Sequence, residues 1–281
     1  MSANASQIDY WNSDATRWWS ERHESIDRMF GAITEQVLEM IAPQTGERVL
    51  DIGCATGTTV LAIAERVGAD GHVLGIDIAE RSVARAKDRI AAAGVGNAEA
   101  IVADASVHDF PPRAFDLMFS RFGVMFFVDP AATFAHLHRS LASDGRFAAM
   151  AFRSRQENVW AAGPAAALRD ILPAEPPPDP EAPGQFAWAS EERVRRILGN
   201  AGFRDVTLTK LDPVFRLAEP GDAAGAAERL LTIGPVARIA REMPPERRSA
   251  LLPRLEAYFR EKEGPDGIAL PGAIWLVRAR P

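Results

Sequence analysis

Apolar side chains recur at Ile26, Met29, Phe30, Ile33, Val37 and Ile41, a spacing of three or four that puts one apolar stripe on a helix. A first helical piece ahead of it begins near residue 9 and carries Trp11, Trp18 and Trp19. Pro43 and Gly46 end this N-terminal stretch. The period then changes. Short apolar runs at Arg48–Ile52, His72–Ile76, Ala98–Val102, Phe115–Phe119 and Gly145–Phe152 read as strands. Between them, Thr58–Val67, Glu80–Ala93 and Pro130–Leu141 read as helices. Strands separated by helices of this length form right-handed βαβ units on a parallel sheet. Val49-Leu50-Asp51-Ile52 and Val73-Leu74-Gly75-Ile76 are apolar almost throughout, as strands covered on both faces are.

Beyond residue 152 the alternation stops. Residues 155–185 read as a helix followed by a stiff extended loop, with Pro173, Pro176-Pro177-Pro178, Pro180 and Pro183. Ser190 followed by Arg193 to Ala201 reads as a capped helix, and Asp205–Leu211 as a strand. Residues 222–263 read as helices interrupted by Pro235, Pro244, Pro245 and Pro253. Ala273–Ala279 is apolar enough for a final buried strand.

The 281 residues, 47% of them hydrophobic, suffice for one large domain or for one domain with a sizeable insertion. A net charge of −6 with acids spread along the chain speaks against a nucleic-acid or anionic-membrane partner, which needs a concentrated basic face. The single cysteine, Cys54, allows no internal disulfide and fits a reducing cytoplasm. The first residues lack the basic start and apolar run of an export signal, and no stretch is long and apolar enough for a membrane span. The expectation is a cytoplasmic protein, and a homodimer is compatible with it. His23, His72, His108, His136 and His138 are scattered, and His136 and His138 fall on different faces of a helix, so no metal site is expected.

The densest chemistry is Val49-Leu50-Asp51-Ile52-Gly53-Cys54-Ala55-Thr56-Gly57, a buried strand running into a glycine-bearing turn and then a helix. In doubly wound sheets ligands bind at the carboxyl ends of strands beside such a turn, where glycines let a ligand approach the backbone. A dinucleotide fingerprint would place its third glycine where Thr58 stands. Asp51, two residues before the first glycine, would repel a pyrophosphate but suits a ligand with an ammonium and a sulfonium, which favours S-adenosylmethionine (SAM) over NAD. Asp77, with Ile78 beside it, ends the second strand where an acid accepts both ribose hydroxyls. Asp104-Ala105 follows the third strand and is placed to meet an adenine amino group. Ser120-Arg121-Phe122-Gly123 ends the fourth. Plainer roles stay open: a tight turn for the glycines, a helix cap for Asp104, a surface cation for Arg121.

On VLDIGCATG, GIDIAERSVARAK, VADA and FDLMFSRFGVMFF the chain resembles the class I SAM-dependent methyltransferases, in particular the small-molecule methyltransferase-11 or UbiE-like type. The resemblance is close over residues 8–152 and returns in the last strand. It implies that Asp51 orients the SAM amino group, Asp77 holds the ribose and Asp104 meets the adenine. The loop residues Gly53, Cys54, Ala55, Gly57, Ile78, Ala105 and Ser120 would complete the cofactor site. Where the family has glycine this chain has Ala55, so a left-handed backbone is not expected there.

The expected architecture is α/β: a Rossmann-like seven-stranded sheet in order 3-2-1-4-5-7-6 with the last strand antiparallel. Residues 1–45 would be an N-terminal helical lid and 46–152 the SAM-binding core. Residues 153–281 would hold the rest of the core, with helical substrate-side insertions at 153–190 and 212–270. Trp18, Arg121, Phe122 and Phe126 are expected in an apolar acceptor pocket, with Arg121 and His23 as the candidates for a catalytic group. The implied reaction is an in-line transfer of a methyl group to a small organic acceptor, driven by proximity and electrostatics. A nucleotide-dependent dehydrogenase and a non-catalytic SAM-binding protein are the alternatives. The sequence does not identify the acceptor or its reacting atom.

Overall fold

A computed structural model describes residues 4–173, 179–232 and 234–281. The run Pro176-Pro177-Pro178 lies outside the described residues. The N-terminal stretch folds as α1 (Ala5–Asn12), a 3₁₀ turn (Asp14–Thr16), α2 (Arg17–Glu21) and α3 (His23–Ile41). The expected first helix is thus broken: the Ser13 hydroxyl donates to Tyr10 O at 2.7 Å and diverts the chain. The apolar stripe of α3 is buried as its spacing predicts, with Ile26, Phe30, Ile33, Val37, Leu38 and Ile41 inside.

The main sheet is built from β1 (Arg48–Ile52), β2 (His72–Asp77), β3 (Ala98–Val102), β4 (Phe115–Arg121) and β5 (Leu141–Phe152). They alternate with α4 (Thr58–Val67), α5 (Glu80–Ala92) and α6 (Pro130–His138). Later in the chain come α7 (Val159–Ala167), α8 (Glu191–Asn200) and β6 (Arg204–Leu211). Then follow β7 (Val214–Ala218), α9 (Ala223–Leu230), α10 (Pro235–Glu242), α11 (Pro245–Arg248) and α12 (Leu251–Glu261). The chain ends in β8 (Glu263–Gly264), β9 (Gly267–Pro271) and β10 (Ile274–Arg280). The order β3-β2-β1-β4-β5-β10-β6, with β10 antiparallel to both neighbours, is the expected seven-stranded arrangement. β1 lies between β2 and β4, parallel to both, which sets Asp51 opposite Gly75 and Phe119. Ser190 caps α8 as expected, accepting from Arg193 N at 3.2 Å.

The late insertion departs from the all-helical expectation. β7, β9 and β8 form a separate three-stranded antiparallel sheet. These strands are too short for their alternation, Phe215 and Leu217 or Ile268 and Leu270, to stand out from a helical pattern. α7 packs on β9 and α9 on β7, α12 packs against both of these helices, and α3 packs on β7. Among the described residues no helix is long and apolar enough to cross a membrane.

One side chain fastens the insertion to the main sheet. Asn158, fully buried, donates to Ala273 O at 3.0 Å and accepts from Ala273 N at 2.9 Å and from Trp160 Nε1 at 3.0 Å. Asn158→Ala strands Ala273 N and Trp160 Nε1, while Ala273 O keeps its bond from Arg153 N, and we expect it to lower unfolding free energy by about 3 kcal/mol in urea titrations. A loss near zero would show that water replaces the amide.

Candidate cofactor and acceptor site

The loop after β1 turns through three left-handed residues, Gly53 (φ 72°), Ala55 (φ 47°) and Gly57 (φ 82°). Ala55 therefore adopts the conformation that its side chain disfavours, contrary to the sequence expectation. Its N–H donates to Asp77 Oδ2 at 2.9 Å, and this bond holds it in place. Gly53 and Cys54 both donate to Ile76 O, at 2.8 and 3.1 Å. The Cys54 thiol points down into the sheet, where a Cβ on Gly75 would stand 2.9 Å from its sulfur. Burial raises the thiol's pKa, so it packs as an inert group. A Cβ on Gly53 would lie 3.0 Å from Gly123 Cα, and one on Gly123 2.8 Å from Ile52 O. The loops after β1 and β4 therefore meet backbone to backbone. Ser120, fully buried, ties them together: it donates to Ile52 O at 2.7 Å and accepts from Gly123 N at 3.2 Å.

Asp51 is fully buried at the end of β1. Its Oδ2 accepts a hydrogen bond from the Thr59 hydroxyl, while its Oδ1 is buried with no hydrogen-bond partner. Burial pushes its pKa up to about 7, against the opposing pull of Thr59 and of the Arg121 charge. Asp77 accepts from Ala79 N at 2.8 Å as well as from Ala55 N. Burial raises its pKa too, opposed by these backbone N–H groups. Asp104 Oδ1 accepts from Ser106 N and from Asn4 Nδ2, both at 2.9 Å, and Ala105 is buried behind it.

Sequence reading missed the residues that bring the N-terminal helix here. Asn4 Oδ1 accepts from Val128 N at 3.0 Å. Asn12 donates to Ile78 O at 2.9 Å and accepts from Glu80 N at 3.0 Å. α1 thus crosses the carboxyl ends of β2, β3 and β4. An asparagine on a short helix carries no pattern that would announce this.

Arg121 turns inward. Its side chain is 10% exposed, donates to Thr34 Oγ1 at 3.3 Å and stands 3.7 Å from Asp27. Burial lowers its pKa, which the charges of Asp27 and Asp51 partly restore. Asp27 also accepts from Thr58 Oγ1 at 2.6 Å and from Arg89 at 3.1 Å, and Arg89 donates to Thr56 O at 2.9 Å. Asp27 on α3 is therefore clamped to the glycine loop through a network that the sequence did not reveal. His23 begins α3 with its Nδ1 buried and unpartnered.

Beyond Arg121 the chain enters an aromatic layer. Phe122 (φ 63°) stacks on Phe152 with centroids 4.3 Å apart, and Phe30 packs against both. Phe126 meets Trp11 edge-on at 5.2 Å. Next to this layer lies a shallow cleft, open to solvent, between Trp18, Trp19 and Phe30 on one side and Trp160, Leu230 and Phe259 on the other. Of Trp18, Arg121, Phe122 and Phe126, expected in the acceptor pocket, Trp18 alone lines this cleft; Arg121 turns inward, Phe122 and Phe126 pack in the aromatic layer behind it, and His23 does not line it either.

Residues 43–178 match the methyltransferase-domain family. The aklanonic acid methyltransferase DauC of Streptomyces sp. (strain C5) is 33% identical over 50% of this chain and 66% of its own length. The nocamycin O-methyltransferase of Saccharothrix syringae is 34% identical over 42% of each chain. The chain thus spans less than two thirds of these curated relatives. Among solved structures, YcgJ of Bacillus subtilis superposes with a TM-score of 0.59 at 17% identity, over 89% of this chain and 98% of that one. The Haemonchus contortus phosphoethanolamine N-methyltransferase 2 gives 0.60 at 16%, over 100% and 60%.

Sheet order, glycine loop and match together define a class I methyltransferase domain. Residues 43–178 carry the match to that family, and the demethylmenaquinone methyltransferase of Geobacillus kaustophilus is 32% identical over 37% of this chain and 45% of its own length. The cofactor of this class is S-adenosylmethionine. The residues fit it: an unpartnered buried carboxylate oxygen at Asp51 awaits a cationic donor, and the left-handed loop leaves the backbone bare beside it.

Two substitutions test the loop. Ala55→Gly relieves a left-handed alanine, and we expect about 1 kcal/mol of added stability in a urea titration. Gly123→Ala forces the two loops apart and should cost about 2 kcal/mol, the scale of overpacking. The opposite sign for either would mean that the loop adopts another conformation in solution.

Proposed function

We propose that the chain transfers a methyl group from SAM to a small organic acceptor, as a cytoplasmic enzyme. The observation that carries this reading is Asp51: a fully buried carboxylate with one oxygen unpartnered, at the mouth of a glycine loop. An uncompensated buried acid is costly and persists where a bound cation is to complete it. In this reading Asp51 binds the amino group of the cofactor, Asp77 the ribose and Asp104 the adenine, with the backbone of Gly53 to Gly57 beneath. SAM supplies a methyl carbon activated by positive sulfur. The protein's part is to place an acceptor atom in line with it and to exclude water. Among the described residues lining the cleft there is no carboxylate or imidazole. This supports displacement by proximity, with no dedicated base. Arg121, turned toward Asp27 and Asp51, acts in this reading as a positioning residue for Asp51. The names of the aklanonic acid and nocamycin relatives support a small organic acceptor.

α1, bonded through Asn4 and Asn12 to the strand ends, is the cover of the cofactor. A chain lacking residues 1–13 should fold, because the sheet begins at Arg48, yet turn over slowly. Full-rate methylation by that truncation would remove α1 from the mechanism.

Calorimetry tests the reading directly. Asp51→Asn should weaken SAM binding by about 1.5–3 kcal/mol, the scale for hydrogen bonds to a charged group. Asp77→Ala should fall in the same range. Unchanged affinity in a folded Asp51→Asn protein would overturn the assignment.

The pH dependence follows from Asp51. The folded protein without cofactor holds a proton there up to about pH 7, where the free acid would lose it near 3.8. That carboxyl therefore contributes stability that is full below the lower value and lost as pH rises through the upper one. A cationic ligand needs the carboxylate, so SAM affinity should rise as pH increases from about 6 to 8. The Asp51→Asn protein should show no such rise, and a parallel rise in both would place the titrating group elsewhere.

A further inference from the structure

The cleft continues outward into a second, polar recess lined by Ser25 and Arg28 of α3, Arg216 and Leu217 of β7, and Asp222 and Arg229 around α9. Ser25, Arg216, Leu217 and Arg229 line both spaces, so the apolar and polar parts are continuous. Arg229 is neutralised: it pairs with Asp222 at 2.8 Å and donates to Leu217 O at 3.1 Å. The other two guanidinium groups are not. Arg28 donates to the neutral Ser25 hydroxyl at 3.2 Å. Arg216 donates to the main-chain carbonyl of Asp266, which steadies it without cancelling its charge. Neither makes an ion pair among the described residues, and Glu219, in the same recess, pairs with neither.

Most solvent-facing arginines mean nothing by themselves. These two come from separate elements, a lid helix and an insertion strand, and converge on one recess at the end of an apolar cleft. They do so in a chain whose net charge is −6. A planar guanidinium fork matches the oxygens of a carboxylate, sulfonate or phosphate.

We infer that Arg28 and Arg216 form an anion subsite, and that the methyl acceptor is an amphipathic molecule whose apolar body lies in the Trp18–Phe30–Phe259 cleft and whose anionic group is held at the outer end. This rests on the methyltransferase reading above and deepens it by naming the acceptor class. Phe30 lines the cleft and packs on Phe122, in the loop after β4. The anion is therefore held at the end of the cleft away from the cofactor loop. It orients the acceptor and is not itself the methylated group.

Calorimetry with two probes that differ only in charge tests the subsite: 2-naphthoate and its neutral amide, 2-naphthamide. Wild-type protein should bind the naphthoate at least about tenfold more tightly, the scale of a charge-assisted hydrogen-bond pair. Arg28→Gln/Arg216→Gln should abolish that preference and leave naphthamide binding unchanged. Equal affinities in the wild type, a preference retained in the double variant, or no binding of either probe would each overturn the subsite. SAM titrated into the same samples separates the two claims. SAM binding without a naphthoate preference overturns the subsite alone. A naphthoate preference lost in the double variant, in protein that takes up no SAM, overturns the methyltransferase reading and with it the link to an acceptor.

Discussion

A carboxylate held out of water at the end of a buried strand is the constraint around which this protein is arranged. Asp51 lies between Gly75 and Phe119 in the middle of the sheet, with its flanking residues Leu50 and Ile52 in the core. Leaving it there uncompensated raises its pKa to about 7. Thr59 satisfies one oxygen from the first turn of α4, and the nearby Arg121 guanidinium supplies partial compensation through space. The second oxygen is left for something cationic. Because burial is what makes the carboxylate a strong partner for a cation, the surrounding core sets the chemistry of Asp51 as much as the loop above it does.

The same constraint explains why the backbones crowd at this spot. Gly53 faces Gly123 with no room for a Cβ on either, so the loops after β1 and β4 touch beside the buried acid. Ser120 then joins them by its hydroxyl. Ala55 and Phe122 take left-handed conformations that they would not choose alone. The Asp77 carboxylate holds the first and the stack on Phe152 accompanies the second.

From Phe122 an aromatic cluster runs outward through Phe30, Phe152, Phe215 and Trp160, linking the cofactor loop to α3 and to the late insertion. The N-terminal helices and the late insertion thus share one apolar seam, with the Asp27–Arg89–Arg121 network along its inner edge. The cleft wall and the clamp on the glycine loop are coupled by packing, since α3 carries both Phe30 and Asp27.

Most of the sheet was legible in the chain because buried parallel strands must be apolar runs and the helices between them must show a 3.6-residue period. That is why β1 to β4 fall within a residue or two of expectation, and why Asp51, Asp77 and the glycine loop stood out: polar residues at strand ends break a pattern that is otherwise apolar. The small sheet of β7, β8 and β9 was not legible, because strands this short leave too little alternation to separate from helix. Nor were Asn4, Asn12, Asp27 and Arg89, whose partners in other elements lie from 31 to 124 residues away in the chain. Long-range hydrogen bonds leave no local trace, and the left-handed turn at Ala55 exists only because Asp77, 22 residues on, is there to hold it. Local pattern determined which segments could be buried. Tertiary structure decided which polar side chains meet, because that depends on distances in space that sequence spacing does not encode.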